Sequence, residues 1–154
     1  MKIVISSILL FILFQSSIIL SQNKDLGVGV ILGDPTGLSA KYWTNASNAI
    51  DLAVGYSFIG PSEGVGIHID YLYHVDNLIK SKEPLVVYYG YGLRIRILDD
   101  HPNIFGVRGV GGILWYPKNL PLDVFAEIVP SFRLLPNADL DLSFGIGSRY
   151  YFTF

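Results

Sequence analysis

The stretch Leu140–Phe154, LDLSFGIGSRYYFTF, carries the reading of the fold. Taken in twos back from Phe154, one set is Phe152, Tyr150, Ser148, Ile146, Phe144, Leu142 and Leu140. The set between them is Thr153, Tyr151, Arg149, Gly147, Gly145, Ser143 and Asp141. Successive side chains of a strand point to opposite faces. One face of this strand is therefore greasy and aromatic, and the other is small, polar and charged.

The same two-residue period runs back through the chain to Lys24, cut into pieces by turn chemistry. The expected strands are Asp25–Leu32, Leu38–Trp43, Ile50–Phe58, Val65–Asp76, Leu85–Leu98, Phe105–Tyr116, Leu122–Leu135 and Leu140–Phe154. Between them lie Gly33-Asp34-Pro35-Thr36-Gly37, Gly60-Pro61-Ser62-Glu63-Gly64, Asp99-Asp100-His101-Pro102-Asn103 and similar clusters. Gly, Pro, Asn and Asp supply the dihedrals and missing donors that turns need. Eight strands is an even number, as a bacterial membrane barrel with both termini on one side requires.

The faces then separate by chemistry. The apolar parity includes Val28, Val30, Leu52, Val54, Ile67, Ile69, Leu93, Ile95, Val107, Ile113, Val124 and Ile128, and none of its members in any strand is Asp, Glu, Lys or Arg. The other parity holds Lys41, Asp51, His68, Asp70, His74, Asp76, Arg94, Arg96, Arg108, Asp123, Glu127, Arg133, Asp141 and Arg149. A soluble barrel would turn those charges outward. Against that, the charged parity also carries many glycines, Gly27, Gly29, Gly55, Gly66, Gly90, Gly92 and Gly112 among them. Glycine weakens a strand and packs nothing on a solvated surface, but it leaves room in a narrow lumen. Gly55, on this reading, tolerates a small side chain. Tyr42, Tyr73, Trp115, Phe152 and Phe154 fall near one set of strand ends, and Phe58 and Phe105 near the other, as interfacial girdles do. Arg or Lys on a lipid face costs about 2–4 kcal/mol at mid-membrane. Six cations there would exceed the roughly 5–15 kcal/mol that holds a domain folded. The charges are expected to face in, as a lumen network that closes the barrel to ions.

Composition agrees. The 154 residues are 51% hydrophobic yet only 16% charged, and mean hydropathy is +0.43. No apolar run of about 18 residues that could span as a helix occurs after the N-terminus. A net charge of −2 offers no basic surface, which sets nucleic acid aside. With no cysteine there is no disulfide framework and no thiolate metal site. Residues 1–21 read as a cleaved signal peptide: Lys2, the apolar run Ile3–Phe14, then Ser16, Ser17 and Ser21. Residues 22–154 are expected to form one domain, an all-β, eight-stranded antiparallel up-and-down transmembrane barrel.

Signal peptide, alternating strands and an aromatic end together resemble the small outer-membrane barrels of the OmpA and OmpX type. GVGVILGDPTGLSAKYW (27–43), PLDVFAEIVP (121–130) and GIGSRYYF (145–152) are similar to stretches of uncharacterised single-domain barrels of diderm bacteria. The resemblance implies the outer membrane, surrounding lipid, and the barrel-assembly machinery as a partner during insertion. It implies that Tyr150, Phe152 and Phe154 form the assembly signal. A monomer is expected, and no cofactor. Short outward loops set a loop-based adhesin role aside, so the expected role is structural or surface-interacting and non-enzymatic.

Two constellations invite chemistry. His68-x-Asp70 and His74-x-Asp76 could in principle ligate zinc or copper. The two histidines stand about 20 Å apart along an extended strand, too far for one ion, so they are expected to belong to the charge network. His101, with Asp99, Asp100 and Ser62 on neighbouring outward loops, is the alternative: a lipid A-modifying site. A narrow pore for small solutes is the third reading.

Overall fold

Eight strands follow one another in chain order: β1 (Leu26–Gly33), β2 (Thr36–Trp43), β3 (Asn48–Ser57), β4 (Gly64–Val75), β5 (Leu85–Ile97), β6 (Ile104–Trp115), β7 (Leu122–Leu135) and β8 (Asp139–Phe152). The computed structural model describes residues 26–58 and 63–153. The expected signal peptide (1–21), residues 22–25, the loop tip 59–62 with Ser62, and Phe154 lie outside the described residues.

Each strand pairs antiparallel with its chain neighbours, and β8 closes on β1 over Leu26↔Phe152 to Gly33↔Gly145. The result is an all-β, up-and-down closed barrel, as the alternation requires. With every strand paired on both sides, no edge is left to recruit another chain. One irregularity interrupts the register: Phe105 opposes Leu135 while Gly106 opposes Arg133, a bulge that inserts one residue into β7.

Side-chain direction follows the sequence parity. Val28, Val30, Leu38, Leu52, Val54, Ile69, Leu93, Ile95, Val107, Ile113, Ile128 and Phe132 are exposed on the outer wall. Inside, Ile31, Ala53, Leu72, Tyr88, Val110, Leu114, Phe125 and Val129 form a buried apolar cluster among the charges.

The lumen is filled rather than open, and glycine placement explains how. Three inward aromatic rings each oppose a glycine: Tyr88↔Gly112, Phe125↔Gly147 and Tyr151↔Gly27. A Cβ on Gly27 would stand 2.7 Å from the Tyr151 ring, so the glycine is the seat of the ring. At Gly55 the constraint is backbone, because a Cβ there would stand 2.8 Å from Gly37 Cα across the ladder. The expectation that Gly55 accepts a small side chain is therefore corrected: the neighbouring main chain, not lumen volume, sets the limit.

Candidate functional site

The charged lumen is the candidate site, and its residues fall into three tiers along the barrel. At the end that carries the strand termini Leu26 and Phe152, Arg149 on β8 pairs with Asp51 of β3 and, at 3.3 Å, with Asp123 of β7. Its guanidinium lies 4.0 Å from the Phe125 ring centre. Tyr151 donates a 2.5 Å hydrogen bond to Asp123. Lys41 stands 3.2 Å from His74 Nε2, and His74 Nδ1 lies 3.0 Å from the Ser47 carbonyl oxygen. Both residues sit among rings: the Lys41 ammonium is 4.9 Å from Tyr88, and Trp43 is 4.3 Å from His74.

Arg108 organises the middle tier. It lies 3.0 Å from Asp70, 3.4 Å from Glu127 and 2.8 Å from His68 Nδ1. Tyr88 donates to the other Glu127 oxygen at 2.8 Å. At the opposite end, Arg94 and Arg96 reach Asp34 at 3.1 and 2.6 Å, and Arg94 donates to Ser131 at 3.3 Å. Arg133 and Asp141 pair at 3.2 Å on the lip, half-exposed.

Eleven of the fourteen expected lumen residues are thus brought into the barrel interior, Arg133 and Asp141 mark its rim, and one needs correction. Asp76 lies beyond the end of β4 in an exposed turn and takes no part in the lumen. β4 stops at Val75, so the alternation no longer governs the next residue. In its place stands Asp34, which sequence parity missed because it belongs to the β1–β2 turn. The exchange keeps the balance of cations and anions. Tyr88 and Tyr151 were also missed: both are on the inward parity, but a tally of charges passes over hydroxyls.

The turn that delivers Asp34 is built by its neighbours. Gly33 takes φ +148°, which an L side chain rarely adopts. The Thr36 hydroxyl accepts from Gly33 N and donates to Gly33 O, each at 3.0 Å. The Asp34-Pro35 pair between them is directed into the barrel mouth, and both residues are buried.

One group has the composition of a metal site. Asp51 and Asp70 face each other across β3 and β4, with His68 beside them, and their ligand atoms lie within 4.8 Å of one another. The surroundings serve a different purpose. Arg149 already neutralises Asp51, and Arg108 neutralises Asp70. Arginine is always a donor, so His68 Nδ1 accepts from Arg108 and the ring proton sits on Nε2. That leaves no nitrogen lone pair for an ion. The trio reads as an ion-pair hub. Asp99, Asp100 and His101 are exposed in the β5–β6 turn, and no hydrogen bond or ion pair with a base or nucleophile is formed by His101 among the described residues.

No family model and no curated protein matches the chain. Among solved structures, the chain is similar to the N-terminal β-barrel domain of Pseudomonas aeruginosa OprF. The TM-score is 0.56 at 14% identity, over 82% of this chain and 98% of that one. The two share a fold. At that identity the match speaks to the architecture of the closed barrel and to nothing finer.

Proposed function

We propose that the protein is an integral outer-membrane barrel whose lumen is plugged by paired charges, with a structural or surface-interaction role and no catalysis. One observation carries the reading: the fold is inside-out relative to a soluble protein. Arg149, Lys41, Asp123, Asp70 and His68 are at most 2% exposed, while Leu38, Ile69, Leu93, Ile146 and Phe144 stand 46–62% exposed on a continuous outer wall. Monomeric soluble proteins rarely expose an apolar patch larger than a few hundred Å². A ring of such side chains around a closed barrel matches a membrane-spanning one. Aromatic contacts near the strand ends support it, Tyr150 with Phe152 at 5.1 Å and Tyr56 with Phe58 at 4.9 Å between ring centres.

In this orientation the β1–β2, β3–β4, β5–β6 and β7–β8 turns face outward and the termini face the periplasm. Lipid and the assembly machinery are its partners. Cell fractionation with surface labelling tests the reading. Recovery with outer-membrane proteins, with label on a cysteine placed at Asp100, is the expected result. A soluble periplasmic product would overturn it.

A further inference from the structure

The outer tier of the lumen contains an anomaly of charge. Arg94 and Arg96, both buried, converge on one oxygen of one carboxylate, Asp34 Oδ2. The second oxygen, Oδ1, is buried and accepts no hydrogen bond among the described residues. Beside it is a small, partly open space of about 10 Å³, lined by the polar groups of Asp34, Ser57, His68, Arg94 and Arg96 and by apolar neighbours such as Pro35 and Ile95. That is room for about one water molecule. Arg108 borders this space too, but its three guanidinium nitrogens are engaged by Asp70, His68 and Glu127, so among the described residues Arg94 and Arg96 meet a single carboxylate there, Asp34.

The carboxylate also comes from an unusual place. Every other acid in the buried network stands on a strand, fixed by two ladders. Asp34 stands on a two-residue turn between Gly33 and Thr36, so it can leave without breaking the barrel wall. Planar, multi-donor arginines converging on one point are how proteins recognise carboxylate and phosphate. We propose that the outer end of the lumen is a receptor for a phosphate- or carboxylate-bearing anion, built by Arg94 and Arg96 and occupied here by the protein's own Asp34. The turn acts as a tethered ligand. A tethered group competes at high effective concentration, so only a multiply charged anion, phosphate before acetate, displaces it. Phosphate could come free in solution or on a lipid headgroup.

Asp34→Ala empties the receptor and leaves its arginines. The test uses the full mature chain folded in uncharged detergent micelles, so it does not depend on where the protein resides in the cell. The urea unfolding midpoint of Asp34→Ala should fall below wild type. Inorganic phosphate at constant ionic strength should restore most of the loss along a saturable curve, with acetate weaker. Wild type should respond little over the same range. If Asp34→Ala does not fold without anion, the yield of folded barrel with and without phosphate is read instead. Vesicles of phosphatidic acid against phosphatidylcholine separate the sources: recovery with phosphatidic acid points to a headgroup, and recovery with inorganic phosphate alone to a soluble anion. Absence of recovery in every arm would overturn the proposal. So would an equal phosphate response after Arg94→Gln and Arg96→Gln are added, since that response would be a salt effect.

Discussion

At the scale of single residues, Arg149 has the most to lose. It is 1% exposed, pairs with two carboxylates from different strands, and lies 4.0 Å from the Phe125 ring centre. Removing one partner of a buried pair typically costs about 3–5 kcal/mol, because the charge left behind is uncompensated. Arg149→Ala is expected to fall in that range in urea unfolding of the folded barrel. Arg133→Ala, which breaks only the half-exposed lip pair with Asp141, should cost no more than about 1 kcal/mol. Equal losses would mean that the lumen is solvated. These two positions look alike in the sequence, since both are arginines on the inward parity. What distinguishes them is depth in the barrel and register, neither of which a two-residue period contains. Asp34 and Asp76 make the same point from opposite sides: parity is informative inside a strand and silent one residue past its end.

At the scale of elements, the strands were legible because the hydrophobic pattern and the turn residues agree at every boundary to within two residues. Asp34-Pro35 is tighter than the five-residue turn the sequence suggests, because Thr36 and Gly37 join β2 and pair with Tyr56 and Gly55. Shear and register remained hidden, and with them every specific ion pair, since closure sets which charges meet. The outer wall gives a depth-dependent prediction. Val54, well inside β3 and 41% exposed, should cost about 2–4 kcal/mol as Val54→Arg, whereas Val75→Arg at the end of β4 should cost about 0–1 kcal/mol. Unfolding in phospholipid vesicles measures both. A soluble barrel would tolerate the two alike, because both valines are surface residues. Gly55→Ala, by contrast, should reduce the yield of folded barrel through collision with the Thr36–Gly37 backbone, whatever the solvent outside.

At the scale of the whole molecule, the proposed function joins two properties: a barrel closed inside and lipid-covered outside. The first predicts no stable, ion-selective conductance from purified protein in a planar bilayer. Steady single-channel currents from wild type, unchanged when lumen charges are neutralised, would replace the plug with a pore. For the second claim the chain supplies its own probes. Its two tryptophans point opposite ways: Trp115 is 39% exposed on the outer wall, and Trp43 has its indole nitrogen buried and its ring against His74. The direct measurement is fluorescence of Trp43→Phe and Trp115→Phe variants reconstituted in vesicles of phospholipid with brominated acyl chains. Bromine quenches an indole it can touch. Strong quenching of Trp115 in the Trp43→Phe variant and little of Trp43 in the Trp115→Phe variant is the result expected of a lipid-covered barrel. Quenching of Trp43 with Trp115 unaffected, or of neither, would contradict it.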